Sequence, residues 1–142
     1  MNTNKQLMTR IFERVGQGDG SLFSEHLADN VEMTITGQYS WSQTFKGKES
    51  VLNDLYAYVA SVTELPRKTI ALNIIAEGEY VVVEAKGQMT SKKGIPYNND
   101  YCLIFRLQEG KIIEYKEYQD STLCERVLGA YPNKGEVRKS LI

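Results

Sequence analysis

From Tyr97 to Asp120 the chain reads as two long strands around a turn at Glu109-Gly110. A segment patterned this way folds as a long β-hairpin. In its first strand Tyr101, Leu103, Phe105 and Leu107 share one face, while Cys102, Ile104 and Arg106 share the other. The turn then decides which residues of the second strand join the apolar face. A two-residue turn sets Glu114 opposite Phe105 and Lys116 opposite Leu103. A three-residue loop with Gly110 left-handed sets Ile113 opposite Phe105 and Tyr115 opposite Leu103. The three-residue loop is adopted because it completes an apolar face. Tyr101 then faces Glu117, so that face ends in a carboxylate beside Asn99, Tyr115 and Gln119.

The 142 residues suffice for one domain with a real core and are too few for two of typical size, so residues 1–142 are read as a single domain with residues 130–142 as its tail. A formal net charge of −1, with scattered lysines, provides no basic field for nucleic acid. The first residues lack the apolar run of a signal peptide, and no uncharged stretch approaches the ~18 residues of a membrane helix, so a cytoplasmic protein with no membrane partner is expected. Cys102 and Cys124 have no Cys-x-x-Cys spacing and the chain holds one histidine, His26, which reads as a surface residue. Neither a disulfide nor a metal site is expected, and both cysteines read as buried free thiols.

Leu7, Met8, Ile11, Phe12 and Val15 predict an amphipathic helix over residues 4–15 that stops at Gly16. Asp19 or Ser21 caps a short second helix carrying Leu22, Phe23 and Leu27, and Asp29-Asn30 supplies a turn. Residues 31–36 alternate as a strand. Residues 38–46 form a loop whose Tyr39, Trp41 and Phe45 either close over a pocket or fold back on the core. After Gly47 a third helix carries Val51, Leu52, Leu55, Tyr56, Val59 and Val62, and Leu65-Pro66 ends it. Residues 69–77 put Ile70, Leu72, Ile74 and Ala76 on one face, and residues 79–91 do the same for Val81, Val83, Ala85, Gly87 and Met89. Asp120 caps a last helix that Gly129 stops. From Tyr131 onward the tail is either mobile or laid over the domain edge. Helices segregated to one side of a curved antiparallel sheet define an α+β domain.

This order resembles the nuclear transport factor 2-like superfamily, and within it the SnoaL-like polyketide cyclase and ketosteroid isomerase-related branch. The resemblance covers roughly residues 4–129 and is carried by Leu27-Ala28-Asp29-Asn30-Val31-Glu32, Phe45-Lys46-Gly47-Lys48-Glu49 and the run from Gly110 to Tyr118. It implies a cone-shaped sheet around N-terminal helices, a deep apolar pocket for a hydrophobic small molecule, a homodimer, and chemistry without a cofactor. The related cyclases and epoxide hydrolases place an acid–base aspartate on the strand after the Gly-Lys-Ile turn, and Glu117 stands at that position. Its extra methylene carries the carboxyl about 1.5 Å further in. The general-base aspartate of the isomerases is missing, since Met33, Thr34 and Ile35 stand where it would lie. The arginine–aspartate pair of the epoxide hydrolases is also absent near Glu84 to Gly87.

The candidate catalytic residues are Glu117, as acid or base, and Tyr101 and Tyr115, as donors to a carbonyl or enolate oxygen. Candidate substrate-binding residues are Tyr97, Asn99, Gln119, Trp41, Phe105 and Tyr56. The alternatives at this stage are a surface or dimer-interface role for Glu117, plain packing for the tyrosines and helix capping for Asp120. The sequence therefore supports two readings, a proton-transferring cyclase or isomerase and a binding or dimerisation module without chemistry.

Overall fold

A computed structural model describes residues 2–132 of the protein. Helix α1 (Thr3–Val15) begins where the Asn2 side chain accepts a hydrogen bond from Lys5 N at 3.0 Å, and it turns Leu7, Met8, Ile11 and Phe12 into the core. The short α2 (Ser21–Glu25) follows, with the Asp19 carboxylate accepting from Ser21 N at 2.9 Å. Leu27, expected on this helix, instead opens β1 (Leu27–Ile35). The pairing of β1 slips between Leu27 and Glu32, so Asp29-Asn30 sits in an irregularity of the strand and makes no turn of its own.

The segment expected to be wholly loop contains β2 (Gln43–Lys46), a short edge strand paired to β1 with only Phe45 buried. Gly47, at φ 94°, donates to the Val31 carbonyl at 2.7 Å and turns the chain into α3 (Lys48–Ser50). A π-helical segment (Val51–Tyr56) and α4 (Ala57–Val62) continue it. Leu65-Pro66, expected to end this helix, lies inside β3 (Thr63–Glu77), where pairing with β4 (Tyr80–Ser91) skips from Glu64 to Lys68. A second skip leaves Leu72 unpaired between Ala71 and Asn73. That extra residue reverses the inward face, so Leu72 is exposed and the predicted row Ile70, Leu72, Ile74 and Ala76 is not one face.

β5 (Asp100–Gln108) and β6 (Lys111–Gln119) form the central hairpin, and α5 (Ser121–Leu128) follows behind Asp120, whose carboxylate accepts from Leu123 N at 3.1 Å. The six strands lie in the order β2-β1-β6-β5-β4-β3. The sheet is mixed where an antiparallel one was expected, because β1 runs parallel to β6 along the hairpin's free edge. Helix α1 packs on its inner face, where the Phe12 ring meets Phe105 edge-on at 5.9 Å. Of the two thiols expected inside, Cys124 is buried and Cys102 is exposed on the outer face. In the tail, Tyr131 is buried and its hydroxyl donates to the Asp54 carbonyl at 2.6 Å, while residues 133–142 lie outside the described residues. No helix among the described residues is long and apolar enough to cross a membrane.

Candidate functional site

The inward face of β6 is set by two local features acting together. Gln108 pairs with Lys111, so the turn has two residues, Glu109 at φ 51° and Gly110 at φ 75°. Both are left-handed, as a type I′ turn demands, and the non-glycine Glu109 makes this turn hard to foresee. Between Leu107 and Arg106 the partner then jumps from Ile112 to Glu114, leaving Ile113 as an added residue. Neither uniform register considered from the sequence is the one adopted. The added residue restores the inward set Tyr115, Glu117 and Gln119 but moves each by one pair. Glu117 is opposite Leu103 where Tyr101 was expected, Tyr115 is opposite Phe105, and Tyr101 is opposite Gln119.

Between this sheet and the helices lies a cavity of about 360 Å³ with predominantly apolar walls. Phe12, Ile35, Leu55, Leu103 and Phe105 are among its buried wall residues. The lining residues that are exposed are Gly20 and Ser21, so the cavity meets solvent at the start of α2. Glu117 lines it, and among the described residues its carboxylate has no hydrogen-bond or ion-pair partner. The side chain is half-buried and belongs to the cavity wall. Removing its charged form from water is what shifts it, and burial pushes the carboxyl up to about 7.

Facing it is a pair of phenols. Tyr56 and Tyr115 approach with hydroxyl oxygens 2.6 Å apart, one of them donating to the other. The π-helical segment puts Leu52, Leu55 and Tyr56 on the cavity wall, and Val59 of α4 joins them. Tyr115 stacks on Phe105 at 5.1 Å between centroids. Burial, with the Glu117 charge adding to it, holds the hydroxyls of Tyr56, Tyr101 and Tyr115 above their ordinary range, so they are donors at neutral pH and not bases. The Tyr101 ring lies across Gly87, where an added Cβ would come within 3.1 Å of its Cε2 atom.

A second group holds the closed end. Tyr97 donates to Gln119 Oε1 at 3.2 Å, and Gln119 Nε2 donates to the Tyr39 hydroxyl at 2.7 Å. Asn99, expected at the cavity rim, is fully buried and is not among the lining residues. Its amide nitrogen donates to Tyr97, Gln119 and the Asp120 carbonyl, and its oxygen accepts from Asp100 N and Asp120 N, which commits it to tying the strand ends together. Trp41 folds back on the core, donating its indole N–H to the Gly129 carbonyl at 2.9 Å, and also contributes to the wall. Tyr97, Tyr101, Gln119, Phe105 and Tyr56 line the cavity as well. Asp120 is the helix cap. Cys124 reaches the cavity, but burial raises its thiol to about 11 and leaves it inert at neutral pH. Arg67 is not among the residues that the sequence singles out, because it follows a proline that reads as a helix stop.

The chain matches the family described as SnoaL-like domain over residues 8–115, and it belongs to that family. No curated protein matches the sequence. Among solved structures, an NTF2-like protein of unknown function from Burkholderia pseudomallei K96243 superposes with a TM-score of 0.77 at 20% identity, covering 92% of this chain and 100% of that one. The protein TerC, co-crystallised with polyporic acid, gives 0.75 at 17% identity, covering 91% and 100%. A candidate SnoaL-like polyketide cyclase from Jannaschia sp. CCS1 gives 0.71 at 16% identity, covering 91% and 93%. At these identities the likeness establishes the NTF2-like fold and leaves the chemistry to be argued from the site.

Proposed function

We propose that the protein is a cofactor-independent acid–base catalyst acting on a hydrophobic carbonyl compound, by enolisation, isomerisation or aldol-type cyclisation. One observation carries the reading: an unpaired carboxyl, Glu117, in the wall of an apolar cavity, with its affinity for protons raised toward neutrality. A carboxyl titrating near the working pH can both take a proton from carbon and return one. The Tyr56–Tyr115 pair supplies an O–H for the oxygen on which charge develops, since the tyrosine that accepts the mutual bond keeps its own O–H uncommitted. Two structural neighbours at 16% identity, a candidate polyketide cyclase and a candidate isomerase, support this class of chemistry.

The test is exchange of the α-protons of 2-tetralone in D2O, followed by NMR. The unaltered protein is expected to accelerate exchange, and Glu117→Gln to lose about a hundredfold or more of that acceleration. Equal rates for the two proteins would leave the second reading, a binding module. The side chains at Met33 and Ile35 favour that alternative, because both are apolar where related isomerases carry their base.

The family resemblance also implies a homodimer. On the outer face of the sheet Ile75, Val82 and Ile104 are paired in one row, with Ile75 exposed, and this is the surface we assign to a second copy. Sedimentation of an Ile75→Lys variant as a monomer, against a dimer for the unaltered protein, would support that assignment.

A further inference from the structure

Among the described residues lining the cavity only Arg67 and Glu117 carry a formal charge, and they stand on different strands. Arg67 lies where β3 loses register with β4, between Glu64 and Lys68, and the glycine-containing turn after α1 abuts it. The Arg67 carbonyl would lie 3.6 Å from a Cβ placed on Gly18. That turn leads directly to Gly20 and Ser21 at the cavity mouth.

The guanidinium is fixed from one side only. Its Nε donates to Thr63 Oγ1 at 2.7 Å, and Nη2 donates to the carbonyls of Ala60 and Thr63, both at 2.9 Å. These acceptors are neutral, and among the described residues no carboxylate pairs with Arg67. A guanidinium presents five N–H donors in a planar fork, so the two on Nη1 remain uncommitted. A half-buried, rigidly held cation without a counter-charge, in the wall of an otherwise apolar cavity, is complementary to an anion brought in by a ligand.

We infer that the ligand of this cavity is an amphiphilic anion, with an apolar carbonyl-bearing body and a carboxylate or comparable oxyanion group that Arg67 receives at Nη1. The inference rests on the catalytic reading above and specifies its substrate class. It also orients the substrate. Glu117 is on β6 and Arg67 on β3, three inter-strand steps apart and therefore roughly 14 Å across the sheet. With its charge at the mouth, the ligand places its uncharged carbonyl end toward Glu117 and keeps its negative charge away from a carboxylate that would repel it.

The experiment uses two dyes of matched aromatic body, 8-anilinonaphthalene-1-sulfonate and the uncharged N-phenyl-1-naphthylamine, titrated against the unaltered protein, Arg67→Gln and Arg67→Lys. Arg67→Gln is expected to weaken the sulfonate dye about tenfold or more while leaving the uncharged dye unchanged. Arg67→Lys, which keeps the charge and loses the fork, falls between. Constant binding of the uncharged dye shows that the variant retains its cavity. If the ratio of the two affinities is the same in all three proteins, Arg67 does not read the anion, and this inference falls while the role of Glu117 stands. If neither dye binds the unaltered protein, the cavity is not open to ligands and both readings fall.

Discussion

The hydroxyl oxygens of Tyr56 and Tyr115 lie 2.6 Å apart and join two different elements, one the last residue of a π-helical segment and the other the strand that also carries Glu117. A bond that short between buried phenols means each is the other's means of satisfaction, and neither can be removed without leaving its partner short.

Tyr56→Phe and Tyr115→Phe are each expected to cost about 1–2 kcal/mol in urea denaturation, since each strands a hydroxyl in an apolar wall. The double variant should cost less than the sum, with a coupling on the order of 1 kcal/mol. Strict additivity would show that the two hydroxyls do not depend on each other.

Glu117 makes stability depend on pH in a defined direction. Its carboxyl rises from the ordinary 4.5 to about 7 on folding. The folded protein therefore holds that proton more tightly than the unfolded chain. The contribution is fully present below pH 4.5 and is lost as pH rises through 7. Glu117→Gln mimics the neutral carboxyl at every pH. It should match the unaltered protein at pH 4 and exceed its stability by about 3 kcal/mol at pH 8.5. A difference between the two proteins that stays constant with pH would mean the carboxyl is not shielded from water.

The periodicity of the hairpin is enough to assign its two strands and the apolar face of the first, whereas the inward direction of Glu117 depends on the turn and on the added residue after it. Register was not legible, because a left-handed Glu109 and the added residue at Ile113 act in opposite senses, and alternation in sequence does not reveal a compensated pair. The same limit appears at Leu72, whose neighbours alternate well in sequence but change face across the bulge. Arg67 is not legible as a cavity residue because Leu65-Pro66 reads as the end of a helix, whereas the strand that contains it returns its guanidinium to Ala60 and Thr63 at the end of α4. Asn99 was misplaced for the opposite reason. It lies on the inward parity of β5's approach, but hydrogen bonds to its neighbours hold it behind the wall.

Gly87 is the site at which the Tyr101 ring crosses β4. A Cβ there would meet the ring at 3.1 Å, tighter than ordinary contact. Gly87→Val is expected to destabilise by about 1–3 kcal/mol through overpacking. Adding Tyr101→Ala to that variant should restore part of the loss, whereas Tyr101→Ala alone should cost stability. The sign reversal, read from melting temperatures of the three variants, checks that the ring and the glycine are fitted to each other.

Asn99 joins the start of β5 to the end of β6 with five hydrogen bonds, the shortest from Asp100 N at 2.8 Å. Two of its partners belong to the Asp120 backbone, at the point where the chain leaves β6 for α5. Asn99→Ala takes from Asp120 N its side-chain acceptor, while the Asp120 carbonyl keeps the N–H of Cys124 at 3.1 Å, and the expected cost is about 1–3 kcal/mol. Asn98, one residue away and exposed, makes a single 3.3 Å bond to Met89 N, so Asn98→Ala should stay within about 1 kcal/mol. Gln119 is held by Asn99 and Tyr97 together, so loosening Asn99 also frees the residue opposite Tyr101. Hydrogen exchange at Asp120 N and at the first turn of α5 should therefore quicken in Asn99→Ala and not in Asn98→Ala. Equal protection in the two variants would show that the strand end is held by the sheet and not by this amide.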